Sequence, residues 1–260
     1  MLLNDLPRPA IIAHRGASAY APENTLASFE LALRQGADAI ELDAKLTHDG
    51  HIVVIHDQTV DRTTMHAGWV KDLSLAELRK MDAGSHFDIA FRGEAIPTLD
   101  EVFKAVGKLT YINVELTNLI SPLDHLPQKT VSLVRRHKIT RRVWFSSFNP
   151  IALIRVHRLL PDAPIGLLAL PGTAGLWARS PLGRIIPHQS LHIALHDANP
   201  GLVKRIHRDQ RKIFVYTANL ENDMQSLFEM GIDGIFTDDP LLARRVLNSA
   251  GHKIRDSKES

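Results

Sequence analysis

Two acidic residues, Glu41 and Asp43, interrupt an otherwise apolar run, Ala39-Ile40-Glu41-Leu42-Asp43, and a third, Glu115, follows Tyr111-Ile112-Asn113-Val114. Residues two apart on a strand project to one face, so Glu41 and Asp43 point the same way. All three stand at the C-terminal ends of strand-like runs, which is where barrel active sites are built. Any one of them could simply pair with an arginine. Three converging on one mouth repel one another unless a cation neutralises them, and oxygen-only ligation favours Mg2+ or Ca2+ over zinc. His14 closes another run in Ala13-His14-Arg15-Gly16, and His56 stands in His56-Asp57. Two imidazoles at one rim suit general acid–base work, one taking a proton and the other protonating a leaving oxygen. Arg15 offers a planar donor fork matched to phosphate.

These residues need a scaffold that brings strand ends together. Short, β-branched apolar runs occupy residues 11–14, 39–43, 111–116, 143–147, 165–170, 191–195, 213–217 and 234–237. Amphipathic segments at 26–35, 130–137, 150–160, 201–209, 222–230 and 240–247 separate most of them. Continuous apolar strands alternating with helices imply a parallel sheet covered on both faces. Eight such units in about 250 residues match an α/β fold of the (β/α)8 TIM-barrel type.

A ninth run, 52–56, follows His48-Asp49-Gly50, and Asp-Gly between extended runs signals a hairpin. A turn centred on Asp49-Gly50 predicts 44–47 paired antiparallel with 52–55, Leu46 against Val53, and His56 roughly opposite Asp43. The polar, glycine-containing stretch to residue 96 carries one short helix, 74–81, and no barrel unit, so 47–96 reads as an insertion within a single domain spanning 1–260. The small, charged residues 249–260 read as a disordered tail.

Composition narrows the class. The chain has 260 residues, 44% hydrophobic and 23% charged, enough to bury a core without staples. The absence of cysteine excludes a disulfide scaffold, a thiolate metal site and a cysteine nucleophile. A formal charge of +2 is too balanced for a nucleic-acid binder that relies on a basic surface. No stretch approaches the roughly 20 apolar residues of a membrane span, and residues 1–9 lack a signal-peptide core, so the expectation is a cytoplasmic protein without stable membrane insertion. Oligomeric state is not readable.

In order and spacing, His14-Arg15-Gly16, Pro22-Glu23-Asn24-Thr25, Glu41-Leu42-Asp43, Leu46-Thr47-His48-Asp49-Gly50, His56-Asp57, Arg62-Thr63-Thr64, Asn113-Val114-Glu115, Ser146-Ser147-Phe148, Tyr216-Thr217-Ala218-Asn219 and Thr237-Asp238-Asp239-Pro240 closely resemble the glycerophosphodiester phosphodiesterase family. The resemblance covers roughly residues 10–245. It implies a barrel of the phospholipase-C-like phosphodiesterase type with a small insertion, and a divalent cation held by Glu41, Asp43 and Glu115. It further implies His14 and His56 as the acid–base pair, Arg15 on the phosphoryl group, and Tyr216 lining the glycerol pocket. The implied reaction hydrolyses glycerophosphodiesters to glycerol 3-phosphate and an alcohol, with water or the neighbouring glycerol hydroxyl as attacking group. Glu23 and Asn24 serve equally well as capping residues or as supports of the site. One position departs from the family pattern: a lysine common two residues after the third acidic ligand is replaced by Thr117, so a cationic phosphate contact is missing unless Lys45 or another base substitutes.

Three features invite other readings. His188, His192 and His196 are four apart, but on a strand four residues span about 13 Å and cannot share an ion. The apolar segment 167–178 reads as a packed lip that could also accommodate an acyl chain, which motivates a lysophospholipase D alternative. Thr117 motivates a second alternative, a barrel that binds phosphodiesters without cleaving them.

Overall fold

Strands that are apolar at nearly every position must be covered on both faces, and here they pair in parallel until the sheet closes on itself. In the computed structural model, which describes residues 2–256, the strands are β1 (Ala10–Ala13), β2 (Ala39–Leu46), β3 (Ile52–Val54), β4 (Tyr111–Leu116), β5 (Val143–Ser147), β6 (Ile165–Leu168), β7 (Ser190–Ala194), β8 (Lys212–Tyr216) and β9 (Gly234–Thr237). Their order is β1-β9-β8-β7-β6-β5-β4-β2, and β1–β2 pairing closes an eight-stranded parallel barrel; β3 lies antiparallel on the outer end of β2. The helices are α1 (Leu26–Arg34), α2 (Leu75–Leu78), α3 (Leu99–Val106), α4 (Leu126–His137), α5 (Pro150–Leu159), α6 (Leu176–Arg179), α7 (Pro200–Arg208), α8 (Glu221–Met230) and α9 (Pro240–Asp256).

Between the strands and the helix ring lies the main core, including Ile40, Leu42, Phe29, Phe103 and Phe145. The barrel interior is filled separately, below the strand ends. Leu2, Leu3 and Leu6 of the N-terminal segment pack against Ile12, Trp144, Phe214 and Phe236 and form a plug. Residues 47–96 hold β3, α2 and short 3-10 turns around their own cluster, with Val53, Val60, Val70 and Leu78 at its centre.

The hairpin forms, but its register differs by one residue from the expected one. Leu46 pairs with Ile52 and Lys45 with Val53, and Ile55 donates to the Asp43 carbonyl. The cause is turn length. Thr47 and His51 close a three-residue loop in which Gly50 takes φ +77, a positive value that glycine adopts without strain, so the turn is longer than the two-residue Asp-Gly loop assumed from sequence. His56 therefore lies one step beyond the residue opposite Asp43.

Helix α3 has no counterpart in the sequence expectation, although Thr98 and Glu101 form a reciprocal capping box at its start. It completes the β2–β4 crossover once the insertion ends. In the segment after β6, short helical turns and α6 replace a long helix. At the C-terminus, α9 extends past residue 247, where the periodicity ended, to Asp256; of the stretch 249–260 expected as a tail, residues 257–260 lie outside the described ones.

Candidate active site

Parallel strands deliver their C-terminal ends to one mouth, and residues of matching parity deliver side chains into it. Glu41 pairs in register with Asn113, and Asp43 with Glu115, so Asp43 and Glu115 share one level of the barrel and Glu41 lies two residues below on the same face of β2. Their oxygens lie within 4.8 Å of one another, the only such metal-compatible cluster among the described residues. Around them opens a cavity of about 180 Å³ that is also lined by His14, Arg15, His56 and Tyr216. All seven residues singled out from the sequence thus border a single space.

The charges in this space are not independent. Burial, together with Asp43 and Glu115, drives the Glu41 carboxyl well above the usual carboxylate range, against the pull of Arg15. Burial and Asp43 push Glu115 upward as well. For Asp43 burial acts in the same upward sense, but Arg15, His56, the Asn24 amide and Lys45 outweigh it and hold the carboxyl low. Two protonation-prone carboxyls beside an ionised one, with oxygen donors only, are what a hard divalent cation would neutralise. The donor set fits such an ion.

Arg15 holds the cluster from one side. Its backbone N–H donates to Glu41 Oε2 at 2.9 Å, and its guanidinium pairs with Glu23 at 3.1 Å and Asp43 at 3.4 Å. Arg15 and Asn24 both adopt left-handed backbone, φ +58 and +59, which is uncommon for side-chain-bearing residues and gathers here at the cavity edge. The dual reading of Asn24 and Glu23 is settled by geometry. Thr25, not Asn24, caps α1; Asn24 donates to Asp43 Oδ2 at 2.9 Å, and Glu23 bridges Arg15 and Arg62.

Each histidine is oriented by a carboxylate. His14 Nδ1 lies 2.7 Å from Asp238 Oδ1, which also accepts from Ser18, while Asn219 donates to Asp238 Oδ2. His56 Nδ1 lies 2.6 Å from Asp57 Oδ1, and Arg62 donates to Asp57 Oδ2 at 2.7 Å. A carboxylate on Nδ1 favours the tautomer that leaves Nε2 as the reactive nitrogen. Sequence reasoning did not assign Asp238 a role. Its signal was an acid at the C-terminal end of β9, the strand that pairs with β1.

Tyr216 spends its hydroxyl on the Ala169 carbonyl at 2.6 Å and presents its ring to the cavity edge-on to Phe148. Leu168, Phe236 and His192 also line the cavity. His192 packs against Phe214 and Phe236, and burial drives its pKa down to about 3, so it is a neutral wall residue. Gly166 leaves room for it, since a Cβ there would lie 2.4 Å from His192 Nε2. His188 is buried at the other end of β7 and His196 is exposed beyond it, so the three do not meet.

Lys45 occupies the level outside Asp43 on β2. Its buried ammonium donates to Thr117 Oγ1 at 2.7 Å, and that hydroxyl donates to the Ala44 carbonyl. Burial lowers the Lys45 pKa, opposed by Asp43, Glu115 and Asp57.

Comparison with known proteins gives a consistent result. Residues 14–242 match the model of the glycerophosphoryl diester phosphodiesterase family. A glycerophosphodiester phosphodiesterase of Caldanaerobacter subterraneus subsp. tengcongensis is 42% identical over 231 residues, 88% of this chain and 94% of the relative. The structure of an Oleispira antarctica phosphodiesterase in complex with the product sn-glycerol-3-phosphate superposes with a TM-score of 0.85 at 31% identity, covering 95% of this chain and 99% of that one. A glycerophosphodiester phosphodiesterase from Agrobacterium tumefaciens does so with a TM-score of 0.78 at 30% identity, over 90% and 98%.

Proposed function

The chain belongs to the glycerophosphoryl diester phosphodiesterase family, and from that membership we propose that its cavity hydrolyses glycerophosphodiesters to sn-glycerol 3-phosphate and an alcohol with the help of a divalent cation and a histidine pair. The observation that carries this reading is the convergence of His14, His56, Glu41, Asp43 and Glu115 on one cavity at the C-terminal mouth of the barrel.

Glu41, Asp43 and Glu115 would hold the ion, Mg2+ or Ca2+, which when bound supplies positive charge against the phosphoryl oxygens. Arg15, in the same lining, adds the positive charge of a guanidinium held in place by Glu23 and Asp43. Asp238 and Asp57 keep His14 and His56 pointed inward with Nε2 available. One histidine accepts the proton of the attacking hydroxyl and the other delivers a proton to the departing alkoxide, so no net proton is lost from the pair. The Tyr216 ring and the apolar side chains of Leu168 and Phe236 in the lining suit the carbon face of a glycerol moiety. The substrate on this reading is a small molecule.

Incubating the protein with glycerophosphocholine and Mg2+ or Ca2+, with and without chelator, tests the proposal. Release of glycerol 3-phosphate that stops on chelation is expected; release indifferent to chelator would remove the cation from the mechanism, and none under any condition would favour a binding barrel. A second reading, an acylated substrate, draws on exposed Leu170, Leu176 and Trp177 in the lip after β6. Strong preference for lysophosphatidylcholine over glycerophosphocholine would establish it.

A further inference from the structure

A phosphodiester has two arms, and the catalytic cavity, with Leu168 and Phe236 in its lining, accounts for one of them. A second cavity of about 150 Å³ lies immediately outside it. The two are stacked on the same three chain segments. Asp43, Glu115 and His56 line the inner cavity, and the residues two further along each segment, Lys45, Thr117 and Gln58, line the outer one. On β2 and its continuation from β4, a step of two residues keeps the face and advances about 7 Å, the length of a short alcohol arm.

The outer cavity is cationic where it meets the inner one. Lys45 is buried and its hydrogen bonds go to Thr117 alone, through Oγ1 and the carbonyl; among the described residues it has no ion pair. The Thr117 hydroxyl proton is engaged by Ala44, so Thr117 fixes the ammonium as an acceptor and leaves further N–H groups of Lys45 for a ligand. Lys71, stacked at 5.2 Å from the Trp69 ring, borders the same space and likewise lacks an ion pair among the described residues. The carboxylate in the lining, Asp124, accepts from Asn118 and from the Leu126 backbone through Oδ1.

Building on the phosphodiesterase reading of the inner cavity, we propose that the outer cavity receives the leaving alcohol and that Lys45, assisted by Lys71, selects an alcohol carrying a carboxylate. Asp43, Glu115 and Asp57 act on this ammonium without forming an ion pair with it, and an anionic group arriving beside it would supply its first direct one. A quaternary or primary amine arriving alone meets two like charges instead.

The test uses the full chain and two diesters that differ only by a carboxylate, glycerophosphoserine and glycerophosphoethanolamine, with kcat/KM measured for each in the presence of Mg2+ or Ca2+. The serine diester is expected to be favoured by about tenfold, the worth of one charge-assisted hydrogen bond, and mainly through KM. Lys45→Gln should bring the ratio close to one. Lys71→Gln, at an exposed position that cannot compromise folding, should reduce it about two- to threefold. A ratio of one or less in the unaltered protein, or a ratio unchanged by both substitutions, overturns the proposal while leaving the phosphodiesterase reading intact. No glycerol 3-phosphate from either diester overturns that reading, and the subsite with it.

Discussion

The two histidine arms reach the same cavity by opposite constructions. His14 stands at the end of β1 and takes its carboxylate from Asp238, 224 residues away in sequence but next to it in the barrel through the β1–β9 pairing. His56 stands in the insertion and takes its carboxylate from its immediate neighbour Asp57. The first arm is therefore positioned by strand register. The second is positioned by a chain of charges, Asp57–Arg62–Glu23–Arg15, that reaches back to the barrel. One arm is as rigid as the barrel; the other holds its place only while the ion pairs do.

The largest effect expected from breaking this symmetry of function is at the histidines themselves. His14→Ala and His56→Ala should each lower kcat by about 10²- to 10⁴-fold, the usual worth of a positioned proton donor or acceptor, with little change in fold; near-full activity in either would strike that arm from the mechanism. Next come the orienting acids. Asp238→Asn and Asp57→Asn should each cost about 10- to 100-fold, as such supporting partners commonly do. The Asp238 loss should be insensitive to ionic strength, whereas activity resting on the Asp57 arm should fall as salt rises. Equal salt profiles for the two variants would refute the contrast.

The carboxylates between the arms give a thermal prediction. Glu41 and Glu115 titrate higher folded than unfolded, Glu115 at about 8, so the metal-free protein binds more protons than the unfolded chain above their ordinary range near 4.5, for Glu115 up to about 8. Its Tm should fall as pH rises through that window, and a divalent cation should restore most of the loss at pH 8. A Tm profile that is flat, or unchanged by cation, contradicts the assignment of the cluster. The smallest effect belongs to Arg62→Ala, which removes two partly exposed ion pairs, to Glu23 and Asp57, and should cost less than about 1 kcal/mol of stability. It should nevertheless raise hydrogen exchange in the insertion and not in β1, a difference measurable by mass spectrometry.

Much of this was legible before the structure. Barrel strands are apolar on both faces, so their runs stand out, and the acids that interrupt Ala39-Ile40-Glu41-Leu42-Asp43 stand out against them. What escaped depends on distance or on turn detail. Asp238 meets His14 only because the sheet closes, which no local pattern reveals. The hairpin slipped by one residue because a three-residue and a two-residue turn share the same Asp-Gly. Helix α3 escaped although Thr98 and Glu101 mark its start, because its 8 residues give little more than two turns of periodicity between the insertion and β4. The loss of a lysine at Thr117 was visible, but that Thr117 instead steadies Lys45 required the register of β2 against β4.

The plug beneath the barrel supplies the molecule with its own optical reporters. The three tryptophans fall in three separate places: Trp144 wholly buried among Leu2, Leu3 and Leu6 at the barrel floor, Trp69 half-exposed on the insertion beside Lys71, and Trp177 half-exposed on the lip after β6. A water-soluble quencher reaches the latter two and not the first. Phe236 belongs both to the plug and to the lining of the catalytic cavity. The shielded indole emission therefore registers disturbance on the Phe236 side of the cavity, while the quenchable fraction follows the insertion and the segment after β6.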